Sequence, residues 1–173
     1  MKLALLAILA TSACVIDEAD LGQSDQDITS NNKLATNKLA TNKLATNKLA
    51  AASFATGMQA KPLLETADGR DVLTYMLQCA LSSSQSITLT DSSGTPWKFT
   101  GAIGVAPAWT TRALTVTEQR WVTACLLARV NYFGVVVNLS LQGRLPALWT
   151  TTADAPFTSL DGAFYGNLFD PSG

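Results

Sequence analysis

Hydrophobic side chains recur at helical spacing in two stretches of the chain. The first follows residues 68–71 (DGRD), where Asp68 is suited to cap a helix and Asp71 to favour its first turn. Its apolar positions share one helical face: Val72, Tyr75, Met76 and Cys79. The polar run at residues 82–84 (SSS) interrupts the pattern. The sequence therefore predicts a helix that begins at Asp68 and ends before this run.

The second stretch has a clearer start, because Thr115 and Glu118 have the spacing of a capping box. Residues 121–133 (WVTACLLARVNYF) continue the helix, and Gly134 is the expected residue just past its end. One stripe and its neighbours are apolar: Trp121, Cys125 and Ala128, with Val122, Leu126 and Val130 beside them. We expect Trp121 in the core.

Strand patterns lie between and after these helices. Residues 86–90 (SITLT) alternate, a turn follows at residues 91–96 (DSSGTP), and residues 97–105 (WKFTGAIGV) predict the partner strand. The clearest alternation is at residues 135–143 (VVVNLSLQG), which predicts the best strand of the chain. Residues 161–169 (DGAFYGNLF) fit a short strand or an aromatic loop. Interleaved helices and strands predict a small α+β domain with two main helices and a few-stranded sheet.

A pentapeptide, NKLAT, is repeated almost four times over residues 32–50. Its leucines are five residues apart, so each turns by about 140° on a helix and the set shares no face. Alternation in a strand fails as well, because an odd period changes the face each time. The leucines resemble the central positions of pentapeptide-repeat proteins, which wind a square β-helix. Four units make only about one coil. We expect a linker, with a coil docked on the following domain and an independent interaction module as alternatives.

The N-terminus, MKLALLAILATSAC, has a basic start, a short apolar run and small residues before Cys14. That run is too short to span a bilayer and suits the core of a signal peptide. The stretch resembles a bacterial lipoprotein signal, although Thr11 stands where Leu is usual. The resemblance implies that residues 1–13 are removed and that Cys14 is lipidated. Ordinary secretion and an unprocessed chain remain alternatives. Residues 14–31 are acidic and free of aromatics, which predicts a disordered tether.

Composition excludes several kinds of chemistry. The chain of 173 residues contains no histidine, which removes Ser-His-Asp and Cys-His catalysis and the usual zinc ligands. Its formal net charge is −1 and its arginines are scattered singly, so we expect no nucleic-acid partner. We also expect no cofactor and no metal site. Only 14% of residues are charged, against an average of about 25%, which is common in exported proteins.

Two cysteines remain once Cys14 is assigned to the lipid. Cys79 and Cys125 lie on the apolar faces of the two predicted helices, and an oxidising compartment favours a disulfide between them. Two buried free thiols and a redox-active pair are the alternatives. The latter lacks a Cys-X-X-Cys motif.

Tryptophans and carboxylates are the other candidates for a site. Trp109 and Trp149 lie in loop-like settings, where exposed rings could contact a glycan or a peptide, although core packing is an alternative for each. Seven carboxylates could include an acid–base pair for glycan hydrolysis: Glu65, Asp68, Asp71, Asp91, Glu118, Asp154 and Asp161. Helix starts and a turn explain most of them, so we predict no catalytic residue.

The body of the chain resembles a group of exported proteins of myxobacteria that carry N-terminal five-residue repeats. The resemblance rests on YMLQCAL, RWVTACLLARVN, LSLQGRL and DGAFYGNLF and spans most of residues 63–169. It implies a periplasmic or surface protein and brings no catalytic residues. Relatives continue further, so the single domain expected at residues 54–173 could be a shortened one.

These features predict an envelope lipoprotein with an N-terminal lipid in the membrane, a linker and a disulfide-tied domain. The domain would be a non-catalytic module that binds an envelope protein or a glycan, on the outer-membrane or periplasmic side. The alternatives are a secreted protein, a carboxylate-dependent envelope hydrolase and an inactive, truncated family member.

Overall fold

The computed structural model describes residues 29–31, 33–41, 44, 49–54, 58–148 and 157–170. Its helices are α1 (Thr36–Thr41), α2 (Lys61–Leu64), α3 (Ala67–Ala80) and α4 (Val116–Ala128). Its strands are β1 (Thr29–Asn31), β2 (Leu34–Ala35), β3 (Ser86–Thr90), β4 (Pro96–Thr100), β5 (Val130–Asn131) and β6 (Asn138–Ser140). Short 3-10 turns lie at Leu49–Ala51, Met58–Ala60, Pro107–Thr110 and Pro146–Leu148. The domain is α+β, as the sequence predicts.

Helix α3 is capped by Thr66 and not by Asp68. The Thr66 hydroxyl accepts a hydrogen bond from the Gly69 amide at 3.0 Å, and Asp68 lies in the first turn, where its charge favours the helix. The threonine two residues upstream therefore takes the role predicted for the aspartate. Gly69 lets α3 approach α2, since a Cβ there would overlap the Leu63 backbone.

Helix α4 begins as predicted and ends early. Thr115 and Glu118 form the complete capping box, in which each side chain accepts the other residue's amide. The helix ends at Ala128 and not near Gly134, because Val130 and Asn131 leave the helix to pair with β2. The backbone of these two residues thus pairs with strand β2, which is distant in sequence, although the local pattern assigns both residues to the helix.

The hairpin of β3 and β4 is antiparallel, with Ser86 opposite Thr100 and Thr90 opposite Pro96. The second strand is shorter than predicted. Beyond Gly101 the chain crosses the C-terminal end of α3, where the amides of Ala102, Ile103 and Ala106 donate to carbonyls of the last turns. These hydrogen bonds satisfy carbonyls that a helix end leaves open.

The strand predicted at residues 135–143 is largely absent. Only Asn138–Ser140 is a strand, and it pairs antiparallel with the three residues of β1. Val135, Val136 and Val137 are exposed. Alternation signals a half-buried strand only where a neighbouring strand and a covering layer exist, and here the partner is three residues long.

The described residues of the repeat are part of the folded domain, which corrects the linker prediction made for residues 32–50. Leu34, Leu44 and Leu49 are each at most 2% exposed, and Leu39 packs against the same core. Strand β2 pairs parallel with β5, and α1 contacts α3. The folded unit therefore begins N-terminal to the expected boundary at residue 54. The described part of the repeat packs on the domain as strand β2, helix α1 and a 3-10 turn, and not as the β-helical coil of the alternative.

The core joins α3, α4 and the repeat around buried apolar side chains. Its largest fully buried members include Trp109, Leu64, Leu73, Met76, Leu77 and Leu126. Trp121 is half-buried against this core. Residues 161–169 form an aromatic loop and not a strand, and only Phe169 among them is buried. Within the described ranges the strands form three separate two-stranded sheets.

Candidate functional site

A disulfide joins the two main helices. The sulfurs of Cys79 in α3 and Cys125 in α4 are bonded, with their Cα atoms 6.0 Å apart, which confirms the predicted pair. Both cysteines are buried. Chain entropy predicts about 4 kcal/mol of stabilisation for a bridge that closes a loop of this length.

A buried cation lies beside this disulfide. The guanidinium of Arg129, at the C-terminal end of α4, is 4.4 Å from the centre of the Tyr75 ring. It donates to Gln78 Oε1 at 2.6 Å and to the Tyr75 carbonyl at 3.3 Å. Its Nη1 also lies 4.0 Å from Cys79 Sγ. Burial lowers the pKa of Arg129, and burial raises the pKa of the Tyr75 hydroxyl.

Arg129 was missed at the sequence level, where it counted only as one of five scattered arginines. Its position in the last turn of a predicted helix suggests a role at the helix end. No local signal indicates that the side chain turns inward. In the structure its guanidinium stacks on the Tyr75 ring and donates a hydrogen bond to Gln78. Since both partners lie in α3, Arg129 links α4 to α3.

Trp109 is a core residue, which corrects its prediction as a ligand contact. It is 0% exposed, and its indole N–H donates to the Ala52 carbonyl at 3.2 Å. Phe54 and Phe169 pack edge-on against its ring, with centroids 4.4 and 5.7 Å away. Segments far apart in sequence cover it, so a loop-like setting did not imply exposure. Trp149 and Cys14, the other predicted contact and the lipidation site, lie outside the described residues.

Two predicted carboxylates contact the repeat. Asp68 and Asp71, on the first turns of α3, lie 3.2 and 2.6 Å from the ammonium nitrogen of Lys38 in α1. Both carboxylates are exposed on a helix surface. The hydrogen bonds that the Lys38 ammonium donates to Asp71 first, and then to Asp68, raise the pKa of Lys38. This arrangement is an ion-pair cluster that docks the repeat.

Asp91 organises the β3–β4 turn. It accepts hydrogen bonds from the amides of Ser93 and Thr95 and, at 2.9 Å, from the Trp97 indole. The Trp97 donor is the main cause that lowers the pKa of Asp91 to about 2. The Arg70 guanidinium stacks on the Trp97 ring at 4.2 Å. Asp91 is thus ionised at neutral pH and occupied by its own turn.

Glu118 is occupied in a similar way at the start of α4. Arg112 donates to both of its carboxylate oxygens, at 2.6 and 2.7 Å, and the Thr115 amide donates at 2.8 Å. These donors, Arg112 first, lower the pKa of Glu118 to about 2. A carboxylate with so low a pKa is a poor general acid at neutral pH.

The other predicted carboxylates do not assemble a catalytic pair among the described residues. Glu65 accepts hydrogen bonds from Ser92, at 2.9 and 2.7 Å, and Asp161 lies in the exposed C-terminal loop. Asp154 is outside the described residues. Within the described ranges, no group of three or more Asp, Glu and Cys side chains could hold a metal ion.

An exposed apolar loop is the clearest candidate interaction surface. Loop 132–137 (YFGVVV) follows β5, and both of its aromatic side chains are at least 80% exposed. The Tyr132 and Phe133 rings pack edge to face, with centroids 5.1 Å apart. A second exposed apolar group lies on the C-terminal segment: Leu160, Phe164 and Tyr165.

Loop 132–137 has a defined shape. The Asn131 side-chain amide donates to the Val135 carbonyl at 2.7 Å, and Asn131 Oδ1 accepts from the Val135 amide at 3.3 Å. Gly134 has a φ of 62°, a left-handed conformation that favours glycine, and a Cβ there would come 3.3 Å from that of Ala35. The loop therefore presents its aromatic rings outward from a braced backbone.

In the part of the chain that the structure describes, no helix is both long and apolar enough to cross a membrane. Comparisons with models of known protein families, with curated proteins and with solved structures found no match to this chain.

Proposed function

We propose that this chain is an exported protein, anchored in the cell envelope by a lipid on Cys14, whose domain is a non-catalytic binding or structural module. The observation that carries the proposal is the disulfide between Cys79 and Cys125. Disulfides persist in the oxidising compartments outside the cytoplasm, and a buried bridge of this kind suits a small exported domain. The N-terminal sequence and the resemblance to exported myxobacterial proteins support the same location.

The non-catalytic part of the proposal rests on how the described polar side chains are used. Asp68 and Asp71 dock the repeat, Asp91 orders a turn, and Glu118 caps a helix. The exposed surface also carries large apolar side chains on loop 132–137 and on the C-terminal segment, which suits binding by surface contact. The hydrolase alternative has no comparable support among the described residues.

Metabolic labelling with palmitate tests the anchor. The full chain is produced in a Gram-negative host, with and without globomycin, beside the Cys14→Ser variant. We expect label in the wild-type chain, none in Cys14→Ser, and accumulation of the unprocessed form with globomycin. An unlabelled wild-type chain would rule out the lipid anchor.

The export part of the proposal has its own measurement. The intact mass of chain recovered from the envelope fraction should rise by two hydrogens on reduction, as expected for one disulfide. Chain that is already reduced in that fraction would contradict the assignment to an oxidising compartment.

A further inference from the structure

We infer that loop 132–137 is a second membrane contact, which inserts its aromatic side chains into the interfacial region of the bilayer that holds the lipid anchor. This inference rests on the proposed lipid anchor at Cys14 and adds to it an orientation of the domain. The binding partner of the exposed loop is thus a lipid surface.

The first argument is where the N-terminal chain reaches the fold. Strand β1 pairs with β6, with Thr29 opposite Ser140 and Asn31 opposite Asn138. Val137, the last residue of loop 132–137, immediately precedes Asn138. Strand β1 therefore runs toward the loop from Thr29, which is its end nearer to Cys14 in the sequence. Ala35, four residues after Asn31, lies against Gly134. The segment that comes from Cys14 therefore joins the domain at the end of β6 away from loop 132–137 and reaches the loop within the length of β1.

The second argument is the reach of that segment. Fourteen residues separate Cys14 from Thr29. Even fully extended, they span at most about 50 Å, and the three residues of β1 add about 10 Å. The loop consequently stays within about 60 Å of the membrane surface, and this tether raises the effective concentration at which a weak contact forms.

The third argument is the chemistry of the loop. Residues 130–143 contain no charged side chain, so insertion carries no cost for burying a charge. Tyr132 is 83% and Phe133 80% exposed to water. Aromatic side chains with a polar end, such as tyrosine, are enriched where a membrane meets water. The Asn131 hydrogen bonds hold the loop in shape, which reduces the entropy lost on binding.

A fluorescent probe tests the contact directly. With Cys14 acylated and the other two cysteines bonded, Phe133→Cys adds the one free thiol of the chain, to which the environment-sensitive dye NBD is attached. The labelled, acylated full chain is reconstituted in phosphatidylethanolamine–phosphatidylglycerol vesicles. We expect a blue-shifted emission that nitroxide-labelled lipids quench strongly and that added salt leaves unchanged, because the contact is apolar.

The matched control is Leu160→Cys, which places the same dye on an equally apolar and exposed position of the C-terminal segment. We expect an unshifted emission and little quenching there. Tyr132→Cys provides a second probe of the loop. Circular dichroism of each labelled chain verifies that it is folded, as expected for changes at exposed side chains.

Each other result overturns the inference and identifies an alternative. Quenching of equal strength at residues 133 and 160 would mean that the contact is not specific to the loop. A blue shift without quenching by nitroxide lipids would mean that protein covers the loop. A shift that grows with protein density in the vesicles would mean that a second copy covers it.

Different results would contradict the proposed lipid anchor and the inferred membrane contact of the loop. If the wild-type chain carries no palmitate, the proposed anchor is wrong and the loop inference falls with it. If palmitate is present and the dye at residue 133 is neither shifted nor quenched, the anchor stands and only the loop inference is wrong.

Discussion

The ammonium nitrogen of Lys38 lies 2.6 Å from Oδ2 of Asp71. This ion pair joins the second unit of the NKLAT repeat to the first turns of α3. Exposed pairs of this kind contribute little by themselves, usually below about 1 kcal/mol. This ion pair is informative mainly about position, because it shows which face of α3 the repeat covers. The energy that holds the repeat comes from its buried leucines.

Leucines in identical repeat units should therefore respond differently to truncation. Leu34→Ala should lower the free energy of unfolding by about 2 to 5 kcal/mol, because Leu34 is fully buried in the core. Leu39→Ala, the control in the next unit, should cost clearly less, since Leu39 is only partly buried. Urea denaturation of the full chain measures both. Equal and negligible effects would mean that the repeat is a spacer after all.

Removal of the disulfide should destabilise the chain without changing its fold. Cys79→Ala combined with Cys125→Ala should lower the free energy of unfolding by about 4 kcal/mol, because the unfolded chain regains the freedom of a loop of 46 residues. Alanine is preferred to serine, since both sites are buried. Reduced wild-type chain is the matched comparison. A stability equal to that of the oxidised chain would show that the bridge contributes nothing.

The start of α4 should give a defined pH dependence. The pKa of Glu118 is lowered to about 2 in the folded chain, so its contribution is complete above its ordinary value near 4.5. It is lost as the pH falls from about 4.5 to about 2. Glu118→Gln should remove roughly 1 kcal/mol at neutral pH and flatten the stability profile in that window. Thermal unfolding followed against pH measures the profile.

The control for this prediction is Thr117→Ala, which changes an exposed residue of the same first turn. Its profile should match that of the wild-type chain. If Glu118→Gln keeps the wild-type slope between about 4.5 and about 2, the slope belongs to other carboxylates and the assignment to Glu118 is wrong.

Arg129 should be structurally important although it is a charged residue. Arg129→Met should cost roughly 1 to 3 kcal/mol, because Gln78 and the Tyr75 carbonyl lose a buried donor. Arg129→Lys should fail to restore it fully, since an ammonium cannot reproduce the planar stack on Tyr75. Arg120→Met, at an exposed position of the same helix, is the control and should be nearly neutral. Comparable losses at residues 120 and 129 would contradict a specific role for Arg129.

Local signals predicted the parts of the fold whose causes are local. The capping box of Thr115 and Glu118 depends on residues three apart, so the sequence identified the start of α4 correctly. The β3–β4 hairpin was predicted for the same reason, since its turn residues lie between its strands. The pairing of Cys79 with Cys125 followed from two helical faces and few alternatives.

Local sequence patterns gave wrong predictions where a segment distant in sequence determined the secondary structure or the burial of a residue. Helix α4 stops before its predicted end because β5 pairs with the repeat, almost 100 positions upstream. Trp109 is buried because Phe54 and Phe169 cover it from both sides of the sequence. The valines of loop 132–137 are exposed because the alternating pattern has only a three-residue partner. Periodicity describes which face could be buried and not whether a covering layer exists.

The sequence by itself determined the chemistry that the chain lacks, because without histidine the commonest acid–base and metal-binding groups are missing. It also determined the caps and the cysteine pair, which depend on neighbouring residues or on helical faces. Only the tertiary structure decided the fate of the repeat. Leu34 and Leu39 have the same neighbours in sequence, yet one is fully buried and the other only partly. Burial is set by what packs against a residue, and identical local sequences cannot encode that difference.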